Sequence, residues 1–165
     1  YIRIGDLPDA RLIARKIASN RRLLCASPIY LKHHPAPKSP RDLAHHPCIV
    51  IRENDHPYGT WHLHSGHRKE TVRVRGPLSA NDGESALLWA LEGHGIIMRS
   101  EWEVGAYLRS GRLVAVLEDW HTPSADIFAL YPERQHLSAK TTAFVEFLAE
   151  RFAHRRRERD GGLSW

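Results

Sequence analysis

Hydrophobic and polar positions alternate over residues 60–74. Trp61 and Leu63 fall on one face and His62 and His64 on the other. A period of two marks a half-buried strand, and the pattern predicts a hairpin turning at Ser65-Gly66. Other stretches are apolar without alternation. Residues 22–26, 48–52, 95–98, 113–117 and 127–131 are short runs bounded by Gly, Pro, Ser or Asp, and each is expected to be a strand. Residues 1–4 and 12–18 also look extended, joined by the loop Gly5-Asp6-Leu7-Pro8-Asp9.

Helices are punctuated between these strands. Ser27 before Pro28 reads as an N-cap followed by a first-turn proline, which predicts a short helix through His33. Ser39-Pro40 repeats the signal, with Leu43 turned inward. Asn81-Asp82-Gly83-Glu84 precedes the apolar run of residues 86–91, and Asn81 with Glu84 has the spacing of a capping box. Gly93 and Gly111 supply C-terminal stops for that helix and for a helix over 101–109. Ser138 is expected to cap the last helix, with Phe144, Phe147, Leu148 and Phe152 as its apolar stripe. Strands and helices thus alternate, and the fold class is α/β.

Composition narrows the classes. The chain has 165 residues, 42% apolar and 26% charged, values close to those of globular domains. The longest apolar runs, residues 86–91 and 113–117, fall far short of the roughly 18 residues a membrane span requires. The net charge of +5 owes much to Arg151, Arg155, Arg156, Arg157 and Arg159. Basic residues at a helix C-terminus favour the helix dipole, and residues 155–165 are expected to form a disordered basic tail. No zinc-finger or nucleic-acid recognition motif accompanies them. Cys25 and Cys48 lie in apolar surroundings outside any Cys-x-x-Cys pair, as buried reduced thiols of a cytoplasmic protein do. The first residue is Tyr1 and the chain runs at once into a strand, so it is read as part of a longer sequence.

Candidate chemistry centres on the histidines, the carboxylates and one helix start. Twelve histidines include His62-x-His64-x-x-His67 and the pairs His33-His34 and His45-His46. No carboxylate or cysteine completes a ligand set, so they are read as polar-face side chains and no metal is assigned. There is no Gly-x-Ser-x-Gly, no Gly-x-Gly-x-x-Gly, and no spacing that unites Ser100, Asp119 and His121. Glu101 and Glu103 are two apart and point to different helix faces. The chain is therefore read as a non-enzyme without a cofactor. The helix start at Asn81 stands apart, because free backbone N–H groups and the positive dipole end suit a carboxylate.

Several of these stretches together resemble the effector-binding (substrate-binding) domain of LysR-type transcriptional regulators. They include Ile2-Arg-Ile-Gly-Asp-Leu-Pro-Asp, Leu12-Ile-Ala-Arg-Lys-Ile-Ala and Arg21-Arg-Leu-Leu-Cys-Ala-Ser-Pro-Ile-Tyr-Leu. Ser79-Ala-Asn-Asp-Gly-Glu, Trp89-Ala-Leu-Glu-Gly-His-Gly-Ile, Ser110-Gly-Arg-Leu-Val-Ala-Val-Leu and Ile127-Phe-Ala-Leu-Tyr-Pro follow in family order. The resemblance implies a two-lobed fold like that of type 2 periplasmic binding proteins, with the first lobe incomplete here. Residues 20–27 and 124–131 would be the crossing strands, 28–123 the second lobe, and 1–19 with 132–154 part of the first. Ile4, Gly5, Asp6, Asn81, Asp82, Arg99 and Ser100 would face the effector, a small organic acid. The resemblance further implies a homo-oligomer, helped by an exposed apolar sheet edge. DNA would be bound only through a winged helix-turn-helix that this sequence lacks. A transporter's solute-binding protein would share the fold and is the alternative.

Overall fold

The computed structural model describes residues 1–5, 7, 12–51, 59–132 and 138–160. The strands are β1 (Ile2–Ile4), β2 (Leu12–Ala18), β3 (Arg22–Ala26), β4 (Val50–Ile51), β5 (Thr60–Ser65), β6 (Arg68–Arg73), β7 (Ser79–Ala80), β8 (Ile97–Ser100), β9 (Val114–Ala115) and β10 (Ile127–Pro132). The α-helices are α1 (Pro28–His33), α2 (Gly83–Leu91), α3 (Glu101–Arg109) and α4 (Ala139–Asp160), with a 3-10 helix over Pro40–His45. The chain divides into two compact units, Tyr1–Asn20 with Ser124–Trp165, and Arg21–Pro123.

In the first unit β10 lies between β1 and β2, antiparallel to both. Its Ile127, Ala129 and Leu130 are buried, which is why this strand carries no polar residue from Ile127 to Leu130. The edge strands leave Ile2, Ile4 and Ile13 exposed. Where the chain leaves this unit, Asn20 donates Nδ2 to the Ala125 carbonyl at 2.9 Å and its N–H to Asp126 Oδ1 at 3.1 Å. Lys16 closes the arrangement with an ion pair to the same aspartate at 2.5 Å.

Helix α4 packs on β2, and of the stripe expected for it Leu148 and Phe152 are half-buried while the other two residues are not. Val145 is the buried residue, flanked by Thr141, Leu148, Ala149 and Phe152, while Phe144 and Phe147 are 56% and 54% exposed. The inward stripe keeps the helical period but is rotated about one position from the phenylalanines. Helix α4 also runs on to Asp160. Residues 155–160 are therefore helical where a disordered tail was expected, because Arg and Glu are good helix formers and arginines near the C-terminus suit the dipole.

The second unit is built on β3, paired with β8 on one side and β9 on the other. Its apolar runs lack alternation because both faces of the sheet are covered. Leu24 and Ala26 enter one hydrophobic cluster with Tyr30, Leu43, Trp61 and Ile96. Cys25 enters a second with Ile49, Ala86, Leu87, Ile97 and Val104. Cys48 and Ile49 divide between the clusters in the same way, as do Ile96 and Ile97. Strands buried on both faces read as continuous hydrophobic runs. Residues 22–26 are paired throughout, but two other runs keep ladder pairing over only part of their length. β4 is two residues long and pairs in parallel with β7, and β9 is two residues long. Arg52, the expected end of the first of these runs, lies outside the described residues.

The hairpin forms as its alternation predicts, Trp61 opposite Val72 and Leu63 opposite Glu70, with Gly66 at φ +58° in the turn. Ser27 accepts the Tyr30 N–H with Pro28 in the first turn of α1. Ser39 precedes Pro40 and its turn is 3-10, closed by Asp42, whose Oδ2 accepts the Lys38 and Ser39 N–H groups at 2.9 Å each. Gly93, at φ +91°, ends α2. Its N–H reaches the Ala90 carbonyl and the His94 N–H reaches that of Trp89, so two otherwise orphaned carbonyls are satisfied.

Candidate functional site

Helix α2 begins at Gly83, and its N-cap is Asp82, not Asn81. Asp82 has extended backbone (φ −135°, ψ 154°) and its Oδ1 accepts the Ser85 N–H at 2.7 Å. The Asn81–Glu84 spacing would make a capping box only if the helix began one residue earlier. Asn81 lies just outside the helix and is exposed. The backbone hydrogen bond from Ser85 holds the Asp82 carboxyl below its usual range, with the Ser85 side chain, the Glu84 backbone and the Arg99 charge adding to it.

Arg99 approaches this helix start from β8, where it pairs with Leu23 of β3. Its side chain is only 18% exposed and forms an ion pair with Glu103 in the first turn of α3, an i, i+4 relation across the strand–helix junction. The guanidinium lies directly over Gly83, so that a methyl group on that residue would overlap it. Its Nε is buried and, among the described residues, finds no hydrogen-bond partner. Ser100 follows, and its Oγ caps α3 by accepting the Trp102 N–H at 3.3 Å. Glu101 pairs with Arg21 at 3.0 Å.

The second unit thus brings Asp82 and Arg99 together, with Asn81 beside one and Ser100 beside the other in the chain. Two further residues join them that sequence reasoning did not select. The Arg99–Glu103 spacing was a usable signal for Glu103, whereas the role of Gly83 depends on a contact between separate elements. Ile4 and Gly5 belong to the first unit. Ile4 is half-exposed at the end of β1, and Gly5, at φ +89°, donates its N–H to the Asp126 carbonyl at 3.0 Å. Asp6 lies outside the described residues.

The histidines are distributed among other partners. His62 Nδ1 lies 3.0 Å from Thr71 Oγ1, and the His64 and His121 rings face each other at 5.8 Å. Among the described residues no group of three His, Cys, Asp or Glu is placed to hold a metal ion. Among the same residues no helix is long and apolar enough to cross a membrane. Cys25 and Cys48 are buried free thiols.

Comparison with known proteins places the chain. Residues 1–153 match the LysR substrate binding domain. The chain is 47% identical over 152 residues to the HTH-type transcriptional regulator DmlR of Escherichia coli K12, covering 92% of this chain and 49% of that protein. It is 48% identical over 149 residues to the HTH-type transcriptional activator TtdR of the same strain, covering 90% and 47%. Its structure resembles the regulatory domain of AphB in Vibrio vulnificus with a TM-score of 0.70 and 33% identity, covering 89% of this chain and 71% of that one. The chain belongs to the LysR substrate-binding domain family, and its fold is the periplasmic-binding-protein-like α/β fold of LysR regulatory domains. It spans about half the length of the curated relatives it matches.

Proposed function

We propose that this chain is the effector-sensing part of a cytoplasmic LysR-type transcriptional regulator and that it binds a small organic anion. The observation that carries the reading is the Arg99 guanidinium seated on the first residue of α2. There a largely buried cation, whose Nε finds no partner among the described residues, lies beside the positive end of a helix dipole. Asn81, Asp82, Arg99 and Ser100 contribute from the second lobe, residues 28–123. Ile4, Gly5 and Asp6 contribute from the first, residues 1–19 and 132–154, and the connections 20–27 and 124–131 cross between the lobes. Bound anion favours one arrangement of the lobes, and that preference shifts the oligomer which sets the DNA-binding domains of the regulator. Exposed Ile2 and Ile13 on the edge strands of the first unit support self-association. The domain itself carries no catalytic step.

The test is thermal melting against acetate, malonate, succinate, glutarate, benzoate and citrate, with zinc and EDTA as controls. A ligand at about 100 times its Kd adds roughly 2.7 kcal/mol, which for a chain of this length is about 5–10 °C. The reading expects one acid to give a shift of that size and Arg99→Gln to abolish it. It is abandoned if no acid moves the wild type, or if the Arg99→Gln protein responds as the wild type does.

A further inference from the structure

We propose that Gly83 is a positioning residue that decides where the Arg99 guanidinium lies, and with it how that arginine meets a bound anion. The second half of this statement rests on the function proposed above, while the first stands on the geometry alone.

Glycine usually occupies a position because the backbone demands it, and at residue 83 the backbone does not. Gly5, Gly59, Gly66, Gly93, Gly95 and Gly111 have positive φ, and Gly83 is not among them. It is the first residue of α2, where alanine is the better helix former and would on backbone grounds gain stability. What forbids a side chain is the arginine. A Cβ on Gly83 would overlap Nη1, Nη2 and Cζ of Arg99, and those are the three nearest atoms it would meet. The obstacle is the far end of a flexible side chain, so it can be displaced without moving the helix. Gly76 differs, because there a Cβ would collide with the Cys48 backbone carbonyl. Gly105 differs the other way, since its Cβ would meet only Arg109 Nη1 at 3.3 Å.

The absence of a side chain at 83 lets the guanidinium lie against the start of α2, where its Nη2 also pairs with Glu103. In that seat Arg99 adds its charge to the helix terminus at short range and is largely shielded from water. Any larger residue at 83 pushes the guanidinium outward, toward solvent and away from the first backbone amides of α2. Residue 83 therefore sets the distance between the two groups that would bind an anion together.

The experiment uses the full 165-residue chain, 15N-labelled, as wild type and as Gly83→Ala, Gly83→Ser, Arg99→Lys and Gly105→Ala. Arg99→Lys identifies the Arg99 Nε–H resonance, which burial makes slow to exchange with water. Gly83→Ala and Gly83→Ser should move that resonance and speed its exchange by about tenfold or more. The melting temperature should stay equal or rise, and Gly105→Ala should leave the resonance where it is. An unmoved Arg99 signal in Gly83→Ala overturns the inference. So does a lowered melting temperature with the signal unmoved, which would mean that the helix start had yielded instead. The second arm titrates acetate, malonate, succinate, glutarate, benzoate and citrate into each protein. An acid that binds the wild type should bind Gly83→Ala roughly tenfold more weakly, the loss of one hydrogen bond to a charged group, and equal binding overturns the functional half. If none of the six binds the wild type, the proposed function fails, and the resonance alone decides whether Gly83 seats Arg99.

Discussion

The Tyr30 hydroxyl lies 2.7 Å from Nδ1 of His46, and this pair joins helix α1 to the end of the 3-10 helix. Tyr30 is 2% exposed and its hydroxyl pKa is pushed up to about 12, chiefly by burial, so the phenol keeps its proton. The Tyr30 O–H can be accepted at Nδ1 only by the neutral His46 ring. Burial, reinforced by His34 and His45 and opposed by Asp42, lowers its pKa from the usual 6.5.

A pH dependence follows. The unfolded chain takes up a proton on His46 more readily than the folded one. Stability contributed by the neutral ring is therefore present above about pH 6.5 and is lost as pH falls through that value toward the lower folded pKa. Asp42 and Asp126 have depressed pKa values, and what they contribute is lost only below about 3.8. Between pH 8 and 5 the urea midpoint of the wild type should fall, and that of His46→Gln should fall less. Parallel curves would remove His46 as the cause.

The two thiols should be inert in the folded chain. Burial pushes Cys25 and Cys48 each up to about 12, which leaves a thiolate fraction of about 10⁻⁴ at pH 8, and the thiolate is the reactive form. Neither thiol has solvent access. Ellman's reagent at pH 8 should find no reactive thiol in native protein and both in urea. Fast labelling of either one without denaturant would mean that its strand opens readily.

Asp82 and Asn81 provide a paired test of the helix start. Asp82→Ala removes the acceptor for Ser85 N–H and should lower the melting temperature by a few degrees. Asp82→Asn keeps a good capping side chain and should stay close to wild type at neutral pH. Asn81 is exposed and is not the N-cap, so Asn81→Ala should leave the melting temperature unchanged. Equal losses at the two positions would restore Asn81 as the cap.

That pair also shows how far the sequence could be read. Ser27-Pro28, Ser138, Gly93 and Gly111 were legible because each acts through its own few neighbouring residues. The hairpin was legible because only one of its faces is buried. Asn81 and Asp82 are equally capable caps, and the choice between them depends on where the first turn sits against β8, which no local pattern contains. The short ladders of β4 and β9 have the same origin, since an apolar run shows that a strand is buried but not how many of its residues pair. At the candidate site Asp82 and Arg99 could be named from the sequence, through the helix-start pattern and the family resemblance. The placement of Arg99 on Gly83, with Glu103 paired to it, depends on tertiary packing.

Helix α4 is the clearest case of a pattern that specifies a period but not a rotation. Residues 144, 147, 148 and 152 form a credible stripe, yet the buried side chain is Val145 and the half-buried ones include Leu148, Ala149 and Phe152. Phe147 instead stands in solvent with the Arg151 guanidinium 5.9 Å from its ring centre. Val145→Ala deletes buried carbons, at about 0.8 kcal/mol for each, and leaves a small cavity, for a loss of about 1.5–3 kcal/mol. Phe147→Ala removes a large ring but little buried area, and the exposed cation–π contact is worth only about 0.5–1 kcal/mol. Denaturation followed by circular dichroism at 222 nm should therefore rank the smaller deletion as the more damaging. The opposite ranking would mean that the phenylalanine face of α4 is covered when the chain folds.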